Sequence, residues 1–118
     1  MTAAVYGDEP GGHPAYNNDS QAAAASGVVQ AGPTVFYEAN GYNLTGTTRY
    51  FHVYNSATVP TDGAAPALIP VAIPPYGVFS LSFSQGVFLD TGLCWASSTG
   101  VATKTLGGAD LWVTITYK

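Results

Sequence analysis

The sequence predicts an all-β protein: an antiparallel β-sandwich, jelly-roll-like, of about seven or eight short strands with an extended N-terminal arm. Three observations carry this reading. Apolar and polar residues alternate with a period of two, most clearly where Phe79, Leu81 and Phe83 interleave with Val78, Ser80, Ser82 and Ser84. Turn chemistry built on Gly, Pro, Asn and Asp cuts the chain into short segments. No segment carries a helical pattern; the run Ala22 to Ala25 is stopped by Ser26-Gly27 and is too short to stand alone.

Taken in order, residues 1–27 read as an extended, flexible arm. Gly11-Gly12-His13-Pro14 and Tyr16-Asn17-Asn18-Asp19-Ser20 are loop chemistry. Two readings of the arm stand side by side. It is simply disordered, or it is ordered on a neighbouring subunit with Val5, Tyr6 and Tyr16 as anchors. Residues 28–118 then form a single β-sandwich domain. Val28-Val29 is a short strand, and Thr34 to Ala39 a clearer one, rich in β-branched and aromatic residues. Asn40-Gly41 and Asn43 to Gly46 signal turns. Thr48 to Asn55 is the next strand. Phe51 and Val53 share its core face, while Tyr50, His52 and Tyr54 form an aromatic-polar strip on the other.

Ser56 to Ala67 holds Pro60, Asp62-Gly63 and Pro66 and is a long loop. Leu68 to Ile73 contains Pro70, which cannot donate to a ladder, so this strand belongs at an edge or a bulge. From Tyr76 to Ser97 the pattern is three short β segments cut by Gly86 and by Asp90-Thr91-Gly92, a compact meander. Phe79, Leu81, Phe83, Phe88, Leu93 and Trp95 are its core candidates. Ser97 to Gly108 is a second long loop, expected with the first at the ends of the sandwich. Asp110 to Tyr117 closes the chain, with Leu111, Val113, Ile115 and Tyr117 inward and Trp112 outward.

Composition narrows the function. Hydrophobic residues make up 47%, but charged residues only 8%, against about 25% in ordinary domains. Ser, Thr, Asn, Gly, Tyr and Ala must therefore cover the surface. Such a surface is cheap to desolvate and suits burial against other subunits; the plainer reading is a neutral surface on a soluble monomer. Only Arg49, Lys104 and Lys118 are cationic, and the net charge is −4. That excludes a phosphate-binding face, so neither nucleic acid nor an anionic membrane is an expected partner. The N-terminus has no basic and apolar leader, and no apolar run reaches the ~20 residues of a membrane helix. Assembly in a host cytoplasm is expected. Asn18-Asp19-Ser20 and Asn43-Leu44-Thr45 then match the N-glycosylation pattern by chance.

No catalytic constellation is legible, and an enzyme is not expected. His13 and His52 have no His, Cys or Asp at ligand spacing, so no metal and no cofactor is predicted. No G-x-S-x-G occurs. Asp62, Asp90 and Asp110 sit at Gly turns, where Asp serves backbone geometry. Cys94, beside Trp95, reads as a small buried hydrophobe. The fifteen aromatic residues are the better lead. Most must be core, leaving Tyr50, His52, Tyr54 and Trp112 as candidates for a subunit contact or a sugar-stacking platform.

From Arg49 onward, ordered blocks carry a resemblance. They are Tyr50 to Asn55, then S-A-T-V-P-T-D-G-A-A-P, L-I-P-V-A-I-P, G-V-F-S-L-S-F, the segment ending Thr91-Gly92-Leu93, and the closing L-W-V-T-I-T-Y. In these the chain resembles small virion structural proteins of tailed bacteriophages, a capsid decoration or cement family. Ser97 to Gly100 departs from the more Asp- and Thr-rich loop of such relatives. The resemblance implies a structural role on the head surface, with partners in the major capsid protein and in other copies of the chain, arranged as a trimer. It supplies no catalytic residues. The alternative is a head-fibre or tail-fibre module recognising host surface glycan, or a neck, tail or baseplate component.

Overall fold

The computed structural model describes residues 17–118, and side chains from residue 23 onward. The described residues form eight strands: β1 Asn17–Ala24, β2 Ser26–Gln30, β3 Thr34–Asn43, β4 Arg49–Tyr54, β5 Val71–Ile73, β6 Val78–Leu89, β7 Leu93–Ser98 and β8 Leu111–Tyr117. Their pairing is nested. β1 pairs with β8, β2 with β7, β3 with β6 and β4 with β5, all antiparallel. The chain is thus one long hairpin, its first four strands laid against its last four. Rolling that hairpin up adds the β3–β8 and β4–β7 ladders. The result is two four-stranded sheets, ordered β1-β8-β3-β6 and β2-β7-β4-β5. Eight antiparallel strands in two such sheets make a jelly roll, as the sequence predicted.

The core is what the two-residue period dictates. Phe36, Ala39, Phe79, Leu89, Leu111, Val113 and Ile115 of the first sheet meet Phe51, Val53, Ile73, Leu93 and Trp95 of the second. Phe51 is central, with ring centroids 4.9 Å from Phe79 and 6.0 Å from Trp95. Ion pairing seals one end: Arg49 Nε donates to Asp110 Oδ2 at 2.7 Å. β5 lies at an edge of its sheet and starts just after Pro70, as the missing donor requires.

The backbone departs from the sequence reading in several places. Gly86 does not end a strand. β6 runs unbroken through it, so the expected three-segment meander is two strands, β6 and β7. Residues 83–86 form a bulge between the pairs Phe36↔Val87 and Glu38↔Ser82. Gly86 sits there at φ 77°, and a Cβ would overlap the Val35 and Tyr37 side chains. Beyond the bulge Val87 and Leu89 turn inward, which points Phe88 out. Phe88 is 66% exposed and is not core.

Asn40-Gly41 is not a turn either; it lies inside β3, where the glycine allows close approach of the Trp112 carbonyl and the Phe79 ring. The reversal falls after Asn43. The buried Asn43 amide donates to the Thr47, Ile73 and Pro74 carbonyls and accepts from the Thr45 backbone N–H and hydroxyl.

Residues 17–27, read from sequence as part of the arm, include β1 and the start of β2. β1 runs from Asn17↔Tyr117 to Ala24↔Leu111 along β8. Backbone N–H and C=O groups make this ladder, so alanines serve in it without any apolar alternation to announce them. Finally, the two long loops do not stay at the sandwich ends. They fold over the outer face of the second sheet, held by Gly63 N–H to Lys104 O at 2.8 Å, Lys104 N–H to Ala64 O at 2.7 Å and Ala67 N–H to Val53 O at 2.8 Å. Every residue of β7 is buried as a consequence.

Candidate assembly surface

The outer face of the first sheet is uncovered among the described residues, and its register aligns an apolar row. Tyr42 of β3 stands opposite Val78 of β6 on one side and Trp112 of β8 on the other. Val78 is 76% exposed and Trp112 53%. Tyr76 and Leu44, both exposed, lie at the same end, where Tyr76 N–H bonds Thr45 O and Asn43 N–H bonds Gly77 O. The middle rows are polar and uncharged but for Glu38: Ser80–Asn40–Thr114, then Ser82–Glu38–Thr116. Phe88 beside Val35 adds a second apolar point at the far end.

The strip expected on the second sheet has a different fate. Tyr50 is half-buried, while His52 and Tyr54 are buried inside the chain by the two loops. His52 Nδ1 and the Tyr54 hydroxyl share a 2.8 Å hydrogen bond, and His52 Nε2 has no hydrogen-bond partner among the described residues. Tyr54 packs with Cys94 and Ala96 under Val59 and Ala64. Burial pushes the His52 pKa below its ordinary value, with the Lys104 charge adding to this and the Gly100 and Val101 backbone opposing it. Burial, then the Asp62 charge, pushes the Tyr54 phenol up to about 12. Burial also raises the Cys94 thiol, whose Sγ donates to Ser56 O at 3.0 Å. These are structural groups in a small covered layer. Tyr50 and Trp112 lie on opposite outer faces, so they do not form one stacking platform. Val5, Tyr6 and Tyr16 lie outside the described residues.

The charged side chains of the described residues make their contacts within the chain. Lys104 Nζ contacts Asp62 Oδ1 at 2.7 Å, Arg49 holds Asp110, and Lys118 Nζ lies 5.9 Å from the Tyr37 ring centroid. Glu38 accepts from Asn40, and Asp90 from Asn55 and Thr91. Asn55 in turn accepts from the Thr91 and Gly92 backbone, clamping the β6–β7 turn to the end of β4. Hydrogen bonds, first from Asn55, hold Asp90 below the usual carboxylate range. No two of the carboxylates Glu38, Asp62, Asp90 and Asp110 are brought together by these contacts.

One groove opens between the two sheets. It measures about 720 Å³ and is lined by Ala67 to Ala72 with Ser80, Leu81 and Phe83, all uncharged. Ile69, 86% exposed, stands at its rim. Sequence reasoning missed this groove, Val78 and Phe88. The available signal was the density of apolar residues in Leu68 to Ile73, more than a three-residue strand can bury.

No protein-family model matches the sequence, and no curated protein matches it. Among the solved structures that show a limited likeness are two of the Tobacco streak virus coat protein. One, in a C2 crystal form, is 14% identical with a TM-score of 0.35 and covers 85% of this chain and 85% of that one. The other, described as a dimer, is 14% identical with a TM-score of 0.36 and covers 85% and 84%. At that level neither assigns a function to this chain. The resemblance to tailed-phage virion proteins rests on the sequence blocks alone.

Proposed function

We propose that this chain is a non-enzymatic structural protein of a virus particle, a capsid decoration protein that binds the major capsid protein and other copies of itself on the head surface. The observation that carries the reading is the Val78–Tyr42–Trp112 row. Val78 and Trp112 lie exposed on either side of half-buried Tyr42, in register on the sheet face, while Arg49 and Lys104 are paired with Asp110 and Asp62. Such a face loses little on desolvation and gains apolar burial. Modest contacts of this kind add up when repeated around a symmetric shell.

The test uses particles of the virus that carries the gene. Copy number by quantitative mass spectrometry and labelled imaging should place hundreds of copies on the head, on the order expected for a shell repeat. Wild-type protein added to particles lacking it should bind saturably, and Trp112→Ser with Val78→Ser should abolish binding while the far-UV circular dichroism stays unchanged. A dozen copies or fewer, confined to the tail, would overturn the decoration role in favour of a fibre or baseplate component. The truncation that tests the arm is removal of residues 1–16, because β1 begins at Asn17. Unchanged particle occupancy after that deletion would remove the arm from the binding account.

A further inference from the structure

The longest strand among the described residues, β6, has an edge that no other described strand covers. β6 bonds β3 on one side, and among the described residues no strand lies on the other. Natural edge strands are usually shortened, charged, proline-bearing or covered, because a free row of N–H and C=O groups recruits another strand. β5 shows these devices: three residues between Pro70 and Pro74. β6 shows almost none. It has twelve residues, V-F-S-L-S-F-S-Q-G-V-F-L, without a charge or a proline. Its bulge is confined to residues 83–86, and Val78 to Ser82 remain regular against Tyr42 to Glu38.

We infer that β6 is a self-association edge, pairing antiparallel with β6 of a second copy about a two-fold axis to continue the first sheet across both molecules. Charge selects this occupant. At a two-fold axis residue i of one strand faces residue j of its copy and j faces i, so a strand carrying charge of one sign repels its copy and a neutral one does not. The segment Val78 to Ser82 and the groove beside it are both uncharged. A strongly charged partner segment would find no counter-charge there. The same axis sets the two grooves face to face, which gives Ile69 an apolar neighbour in place of water. Ser80 and Ser82, exposed on the strand, offer hydroxyls that cross-strand pairing accommodates.

This inference is independent of the particle role, since it is read on the free protein. Sedimentation velocity of the full chain should give twice 12.2 kDa, and Ser80→Lys and Ile69→Lys should each return the mass to 12.2 kDa with unchanged far-UV circular dichroism. Both positions are exposed in the monomer, so neither variant disturbs the core. A monomeric wild type, including one whose edge is sealed by its own residues 1–16, would overturn the inference. So would a trimer, or a dimer that ignores both lysines.

Discussion

Lys104 Nζ lies 2.7 Å from Asp62 Oδ1, 42 residues away in the chain, and this pair ties the two long loops together over the second sheet. The two ends differ. The Lys104 side chain is 3% exposed and that of Asp62 59%. The hydrogen bond from Lys104, then the Leu106 N–H, holds the Asp62 carboxyl below its usual range. Removing the carboxylate leaves a covered ammonium without its anion, whereas removing the ammonium leaves a carboxylate that water still solvates. Asp62→Asn should therefore lower the melting temperature more than Lys104→Met, and should speed amide exchange at Gly63 and Lys104. The opposite order of melting temperatures would show that the pair does not hold the loops.

A pH prediction follows from His52 under the same loops. Its folded pKa lies below 6.5, so the folded state keeps it neutral where the unfolded chain takes up a proton. More protons on the unfolded state means stability rises with pH. Stability is complete above about 6.5 and falls as pH drops below it, with a slope of at most ~1.4 kcal/mol per pH unit for one group. The depressed carboxylates Asp62 and Asp90 lose their contribution only lower, as pH falls through the acid range below 3.8. Urea titrations between pH 7.5 and 5 should show the decline, and His52→Gln should flatten it. A wild-type curve level across that window would contradict the buried neutral imidazole.

Gly86 offers a backbone test. At φ 77° an L side chain costs about 1–2 kcal/mol. The Cβ also overlaps Val35 and Tyr37. Gly86→Ala should lose at least that much stability in denaturant melts. Gly63 is the control: its φ is 98°, but nothing lies within 4 Å of a Cβ there, so Gly63→Ala should cost only the backbone part. Equal losses at the two sites would mean the bulge relaxes around the new methyl.

What the sequence made legible follows from which faces are buried. β4, β8 and residues 78–83 bury one face only among strands, so alternation names their inward residues: Phe51, Val53, Leu111, Val113, Ile115 and Phe79. β1 was hidden because Asn, Ser and Ala carry no alternation and its hold on β8 is a backbone ladder. His52 and Tyr54 were placed facing outward correctly with respect to the sheet. Their covering was not legible, since it depends on Asp62 and Lys104 meeting across two loops. Val87-Phe88-Leu89 is apolar throughout, and a run without alternation does not say which residue faces out.

That ambiguity can be resolved by paired substitutions. Phe51 is 1% exposed and packs on Phe79 and Trp95, so Phe51→Ala removes a ring and leaves a cavity, costing about 3–5 kcal/mol. Phe88 has the same side chain in the adjacent sheet but is 66% exposed. Phe88→Ala should stay within about 0.5 kcal/mol in urea melts of the monomer, as surface changes do. A loss at Phe88 comparable to that at Phe51 would return Phe88 to the core and shift the residues after the bulge by one. Should Phe88→Ala instead leave monomer stability intact but reduce binding to particles, the second apolar point on the outer sheet face joins Val78 and Trp112 in the contact.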